Sequence, residues 1–312
     1  MMTRIFLAAA LLLVPLAPAA AQSTLEQNYT PAPAIWKLAD ADTTIYLFGT
    51  IHLLPEGFRW RSAEFDRIVS EVDSLVLESS DVDALASLDA YAPKMEAVSA
   101  GRPPISQRLP PELRGAWRQM IESSGRVFEI VDTMPLALAM LGLDPGGSNS
   151  GPSRQELGVE SVLSAEFAES GRPVESIENH GAVMLSLMRI DDAPILEELS
   201  AELAGSPGQQ RFAGQHAPIE YTPDAPDWSI EHAWARGDID PDFDLGLGNG
   251  KVGAAFQRVL LARRNEAWSH WLKARLERPG TILVAVGAGH FEGRRSVHYY
   301  LEQRGLSAER IN

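Results

Sequence analysis

Short apolar runs alternate with amphipathic stretches along most of this chain. Ile35–Ala39 and Thr44–Phe48 are apolar runs joined by Asp40-Ala41-Asp42-Thr43, which predicts a hairpin entering a sheet. Phe65, Ile68, Val69 and Val72 recur at helical intervals, so Ser62–Val72 reads as a helix. Ser74–Leu77 is a strand-like run that ends at Glu78. From Val82 to about Leu143 the pattern is helical, punctuated by Pro103-Pro104, Pro110-Pro111 and Pro135. A helix is expected over Leu157–Glu169, stopping before Gly171, and a short strand over Arg172–Ile177, ending at Glu178. His180 to about Leu203 is helical again, and Lys251–Glu277 is a long amphipathic helix. Thr281–Val286 is a continuous apolar strand bounded by Pro279-Gly280 and Gly287, and a last helix follows it. Residues 144–153, 205–228 and 238–250 read as loops from their Gly, Pro, Asn, Asp and Gln content.

This alternation predicts an α/β fold with a mixed, largely parallel sheet flanked by helices. The strandless run from about 82 to 145 is expected to form a helical cap or insert.

The N-terminus stands apart from that pattern. Thr3-Arg4 is a short basic start, Ile5–Leu16 an almost unbroken apolar run, and Ala19-Ala20-Ala21 a small-residue cleavage site before Gln22. These are the three parts of a secretory signal over residues 1–21, which places the mature protein in the periplasm or outside the cell. Residues 22–34 read as a flexible leader and 35–312 as the folded body. No later stretch is apolar enough to span a bilayer, so no stable membrane anchor is expected. A body of about 280 residues buries enough surface to fold without staples. There is no Cys, which removes thiol nucleophiles, thiolate metal sites and redox motifs. The net charge is −15, and Arg4 is the only charged residue ahead of Gln22, so signal removal leaves −16. That balance disfavours nucleic acid and anionic membrane as partners; a peptide or small-molecule substrate is the expected partner.

One local pattern occurs twice. Thr44–Phe48 leads into Gly49-Thr50-Ile51-His52, and Ile282–Val286 leads into Gly287-Ala288-Gly289-His290. Each is an apolar strand, then Gly, then His three residues on. Gly permits a turn that a residue with Cβ resists. The His is then placed past the carboxyl end of its strand, where open α/β sheets bind ligands. If the two strands are neighbours, the imidazoles converge. Glu78 and Glu178 also follow strand-like runs, and two His with a carboxylate can hold a divalent ion with open positions. Such an ion acidifies a bound water for attack on a carbonyl. His180, His216, His232, His270 and His298 have no partner at metal spacing, and no H-E-x-x-H or G-x-S-x-G motif is present.

Taken together, several short segments resemble the TraB/GumN family, relatives of the Tiki metalloproteases. Ile35-Trp36-Lys37 and Tyr46–Pro55 are similar to its opening motif, and Val76–Glu78 to its acidic strand. Leu157–Glu160 with Val174–Glu178, then Trp234–Asp238, then Arg264-Asn265, and finally Val284–His290 with Gly293 are similar to its later blocks. The poorest match is roughly 190–230. Phe291-Glu292 stands where the family usually has a Leu-Pro type pair, and Glu160 where many relatives have Asp. The resemblance implies a peptidase-like metallohydrolase with an erythromycin-esterase/Tiki-like fold over 35–312. It makes His52, His290 and Glu78 candidate ligands of a divalent ion (Mn, Co or Zn), with Glu178 a second acidic ligand or base. Arg264 is implied as a catalytic group that binds a substrate carboxylate or stabilises an oxyanion, with a structural salt bridge as its other reading. Two alternatives stay open. Related erythromycin esterases work through a His without metal, and family members linked to polysaccharide export or peptide signalling could act by binding alone.

Overall fold

The computed structural model describes residues 25–143, 153–205 and 228–312. The signal segment 1–21, most of the loop at 144–153, most of the insert at 205–228 and His216 lie outside those residues.

Strands β1 (Ile35–Ala39) and β2 (Thr43–Thr50) form the expected hairpin, with Ile35 opposite Phe48. After them come β3 (Leu54–Pro55), β4 (Ser74–Leu77), β5 (Ser153–Arg154), β6 (Val174–Ser176), β7 (Gly280–Gly287) and β8 (Glu309–Arg310). Six of these build one sheet in the order β6-β4-β7-β2-β1-β8. The four strands β6, β4, β7 and β2 are parallel; β1 and β8 close one edge antiparallel. Strands β3 and β5 form a separate two-residue pair. The three strands of two residues, β3, β5 and β8, are too short to carry a periodic pattern and went unanticipated.

Helices cover both faces, as continuous apolar strands require. On one face Phe65 and Ile68 of helix Ala63–Glu71 and Leu163 and Phe167 of helix Val159–Glu169 join Phe48, Leu75 and Leu283 in one core. On the other, Trp268 and Leu272 of helix Arg263–Arg275 and Val297 and Leu301 of helix Val297–Glu302 join Leu47, Val76 and Val284. A third core is helical throughout, with Trp117, Leu136, Ile195, Leu199 and Phe256 among its buried members. This is the expected cap. Buried Asp132 ties it together by accepting from the Ser106 N–H at 2.7 Å, the Ser106 hydroxyl at 2.7 Å and the Trp117 indole at 2.9 Å.

Two expected helices are interrupted. The run from His180 divides into His180–Met188 and Asp192–Ala204, because Asp191 caps the second helix by accepting from the Ala193 N–H. The long helix from residue 251 consists of Gly250–Gln257, a π turn over Arg258–Ala262 and then Arg263–Arg275.

Part of the segment expected to be a flexible leader is held against the body. Gln27 exchanges hydrogen bonds with the Arg59 backbone, both at 2.7 Å, and the Ala32 N–H donates to the Ala235 carbonyl at 2.8 Å. The apolar Ala34 beyond them is buried. Among the described residues no helix is long and apolar enough to cross a membrane.

Candidate functional site

Strands β2 and β7 are parallel neighbours, with Thr50 opposite Gly287. The two Gly-x-x-His segments therefore leave the same edge of the sheet side by side. Strand β4 flanks β7 on its other side with Leu77 opposite Ala285, so Glu78 emerges beside Gly287. Strand β6 lies next to β4, and the Glu178 N–H beyond it donates to the Glu78 carbonyl at 3.3 Å. The two His and two Glu expected at the site are thus delivered by the ends of four adjacent parallel strands, and Arg264, the fifth, by helix Arg263–Arg275.

The motif glycines serve a purpose different from the one expected. Gly287 has φ −46°, which any residue adopts, and neither Gly49 nor Gly289 has positive φ. What they provide is close approach. A Cβ on Gly49 would sit 3.0 Å from the Ala288 Cα. A Cβ on Gly287 would sit 3.1 Å from Glu78 Oε1, 3.7 Å from His290 Cδ2 and 3.9 Å from His52 Nε2. Glu78, His290 and His52 therefore share the space above Gly287.

Each imidazole is anchored through Nδ1. His290 Nδ1 lies 2.5 Å from Asn265 Oδ1, and the Asn265 amide is oriented by donating to the Arg295 carbonyl at 2.8 Å. Asn265 thus offers an acceptor, so the proton sits on His290 Nδ1 and the Nε2 lone pair faces Glu78 Oε1 at 3.5 Å. The ring is buried and tilts against Trp268 with centroids 4.1 Å apart. His52 Nδ1 lies 2.7 Å from Glu160 Oε1, and this ring is 67% exposed.

Arg264 joins the two acidic residues. Its Nη2 contacts Glu78 Oε2 and donates to Glu178 Oε1 at 2.7 Å, its Nε donates to Glu178 Oε2 at 2.9 Å, and its Nη1 donates to the Leu260 carbonyl at 2.9 Å. The Trp268 indole adds a bond to Glu178 Oε2 at 2.9 Å. Both Glu178 oxygens are therefore occupied, and Arg264 is committed to the carboxylates and a backbone carbonyl. Arg264 and Glu178 thus form a two-point salt bridge.

Charge and burial separate the titrating groups. For Glu78 burial is the largest single influence and pushes upward, but Arg264, His290, His52 and the Gly287 N–H, which donates at 2.8 Å, together hold its pKa down at about 2. Burial raises Glu178 against the opposing pull of Arg264. Burial lowers His290 to about 3, and the hydrogen bond to Glu160 raises His52 to about 9. The two histidines sit in opposite environments.

The donor types suit a divalent ion: His52 Nε2 and Glu78 Oε1 border the space that a Cβ on Gly287 would fill, His290 Nε2 lies 3.5 Å from that Glu78 oxygen, and both Nδ1 atoms are already occupied. As they stand, no group of three or more His, Cys, Asp or Glu among the described residues is placed to hold a metal. Glu78 is turned toward Arg264 and Gly287.

The remaining candidates fall elsewhere. Trp60 is buried among Phe48, Phe65 and Trp234. His232 bonds Tyr29, and His298 packs against the stacked pair Trp36 and Phe291. Sequence reasoning gave Thr50, Glu160, Asn265 and Trp268 no role here. The signal for two of them was present, since Glu160 and Asn265 fall inside the short blocks that carry the family resemblance.

Comparison with known proteins yields no matching curated protein and no matching solved structure. A family model matches residues 34–310, nearly the whole chain, and it carries both Gly-x-x-His segments and every residue of the site. The chain belongs to the TraB/PrgY/gumN family.

Proposed function

We propose that this protein is an exported hydrolase that cuts a peptide, or a related amide or ester bond, at a divalent-ion centre held by His52, His290 and Glu78. The observation that carries the reading is the common orientation of the two imidazoles. Both are tied at Nδ1 and both turn Nε2 toward the space shared with Glu78. Manganese, cobalt and zinc all suit such a donor set.

A bound ion supplies an acidified water and polarises the scissile carbonyl. The chain's own residues do the rest. Arg264 and the Gly287 N–H keep Glu78 ionised and aimed. Burial keeps His290 neutral, and Asn265 fixes its tautomer. Exposed His52 forms the solvent side of the site, where substrate enters. Glu178 holds Arg264 and is not itself a ligand in this reading.

Elemental analysis and calorimetry of the mature protein beside His52→Ala, His290→Ala and Glu78→Ala test the centre. About one ion in wild type, lost in all three variants, supports it, and a peptide-substrate screen with that ion follows. No uptake of manganese, cobalt or zinc by folded wild type rejects it. The 2.7 Å contact of His52 with Glu160 favours one other reading, a metal-free hydrolase using that pair in proton transfer. Activity that survives both chelation and Glu78→Ala, but not His52→Ala, selects it.

A further inference from the structure

The first Gly-x-x-His segment is braced by a helix far from it in sequence. Helix Val159–Glu169 begins at Gly158, where a Cβ would lie 2.0 Å from the His52 carbonyl oxygen. The Val159 N–H donates to the Ile51 carbonyl at 3.0 Å. This docking puts Glu160, in the first turn, beside the Nδ1 edge of the His52 ring. A carboxylate is favoured there by the helix dipole.

Glu160 Oε1 takes both His52 Nδ1, at 2.7 Å, and the hydroxyl of Thr50, the last residue of β2. The anchor is better buried than the ring it holds, at 18% exposed against 67%. Its other oxygen is buried without a partner, so the whole engagement of this carboxylate passes through Oε1. His290 meets the same need differently: it is enclosed, and a neutral amide suffices to orient it. An exposed ring competes with water for its orientation, and a charged acceptor holds it more strongly.

From this we infer that Glu160, itself clamped by Thr50, is the positioning residue of His52. It fixes the proton on Nδ1 and turns Nε2 toward Glu78. The consequence for ion binding rests on the function proposed above; the orientation of the ring does not.

The test uses two readouts. In ion-free protein, imidazole proton–nitrogen spectra of wild type should show a slowly exchanging, downfield His52 Nδ1–H. It should vanish in Glu160→Ala and broaden without vanishing in Thr50→Val and in Glu160→Gln, whose neutral amide oxygen still accepts but holds the exposed ring more weakly. Circular dichroism confirms that each variant is folded. Calorimetry with manganese should show affinity about 10- to 100-fold weaker in Glu160→Ala, the usual effect of removing a hydrogen-bond partner from a ligand imidazole. Adding Thr50→Val to Glu160→Ala should weaken it no further, because Thr50 acts through Glu160. An unchanged Nδ1–H and affinity in folded Glu160→Ala would overturn the assignment, and so would Glu160→Gln behaving like Glu160→Ala. If wild type takes up no manganese, the ion reading fails, and the Nδ1–H signal alone still decides the role of Glu160.

Discussion

Arg264 grips Glu178 at two points, Nε on Oε2 at 2.9 Å and Nη2 on Oε1 at 2.7 Å. The same guanidinium reaches Glu78, so one cation, 12% exposed, sits between two carboxylates. Glu78 and Glu178 are thereby tied to each other through one side chain.

Glu178→Ala strips Arg264 of one of its two counter-charges and leaves the Trp268 indole without its acceptor. Breaking a buried ion pair costs about 3–5 kcal/mol. With Glu78 still in place the lower end, about 3 kcal/mol, is expected. Urea unfolding reads it directly, and an unchanged midpoint would show that Glu178 bears no structural weight.

Gly287→Ala should leave the fold intact and damage the site. The backbone there is ordinary, but the methyl would enter the space between Glu78, His290 and His52. Ion affinity is expected to fall by about tenfold or more, roughly 1.4 kcal/mol, with little change in Tm. Full ion binding by this variant would place the centre elsewhere.

Two further glycine variants should move stability in opposite directions. At Gly158 the new Cβ meets the rigid His52 carbonyl, and overpacking of this kind costs about 1–3 kcal/mol. Gly142, in helix Leu136–Leu143, has nothing within 4 Å of the built Cβ. There Ala should stabilise by about 0.5–1 kcal/mol through helix propensity. Thermal unfolding of Gly158→Ala and Gly142→Ala side by side checks both signs.

Acid should weaken the protein through His298. Its Nε2 is buried without a partner, and burial lowers its pKa to about 4. The folded value lies below the ordinary 6.5, so the unfolded chain takes the proton first as pH falls. The stability is fully present above pH 6.5 and is lost as pH drops toward 4. His298→Phe keeps an aromatic ring against Trp36 and Phe291 and removes the proton. Between pH 7 and pH 5 wild type should lose about 2 kcal/mol more than this variant. Equal losses in urea unfolding would acquit His298. His52 has the opposite sign: raised to about 9, it favours folding below pH 6.5 and loses that contribution as pH rises through 9. Its exposure lets solvent screen most of the effect.

The parts of this molecule that were legible beforehand are those written in local pattern. Apolar runs marked β1, β2, β4, β6 and β7, and the repeated Gly-x-x-His marked the two imidazoles that converge at one sheet edge. Adjacency of β2 and β7 is a long-range fact, and no pattern within either strand encodes it. The glycine argument named the right residues and the wrong cause, because close approach depends on what lies across the gap. Glu160 and Asn265 escaped for the same reason. A carboxylate or an amide acquires its role only when a distant ring arrives beside it. The π turn at Arg258–Ala262 was hidden because the flanking pattern stays apolar through it.

That turn sits within a single rod. Upstream, Val252 and Phe256 are rooted in the cap, as is Val259 within the turn; downstream, Trp268 and Leu272 are rooted against the sheet, and Arg264 and Asn265 follow the turn closely. Cap and sheet are therefore geared through one shaft, with the groups that aim Glu78 and His290 mounted just past its joint. A tilt of the cap would therefore be felt first where Arg264 and Asn265 hold Glu78 and His290.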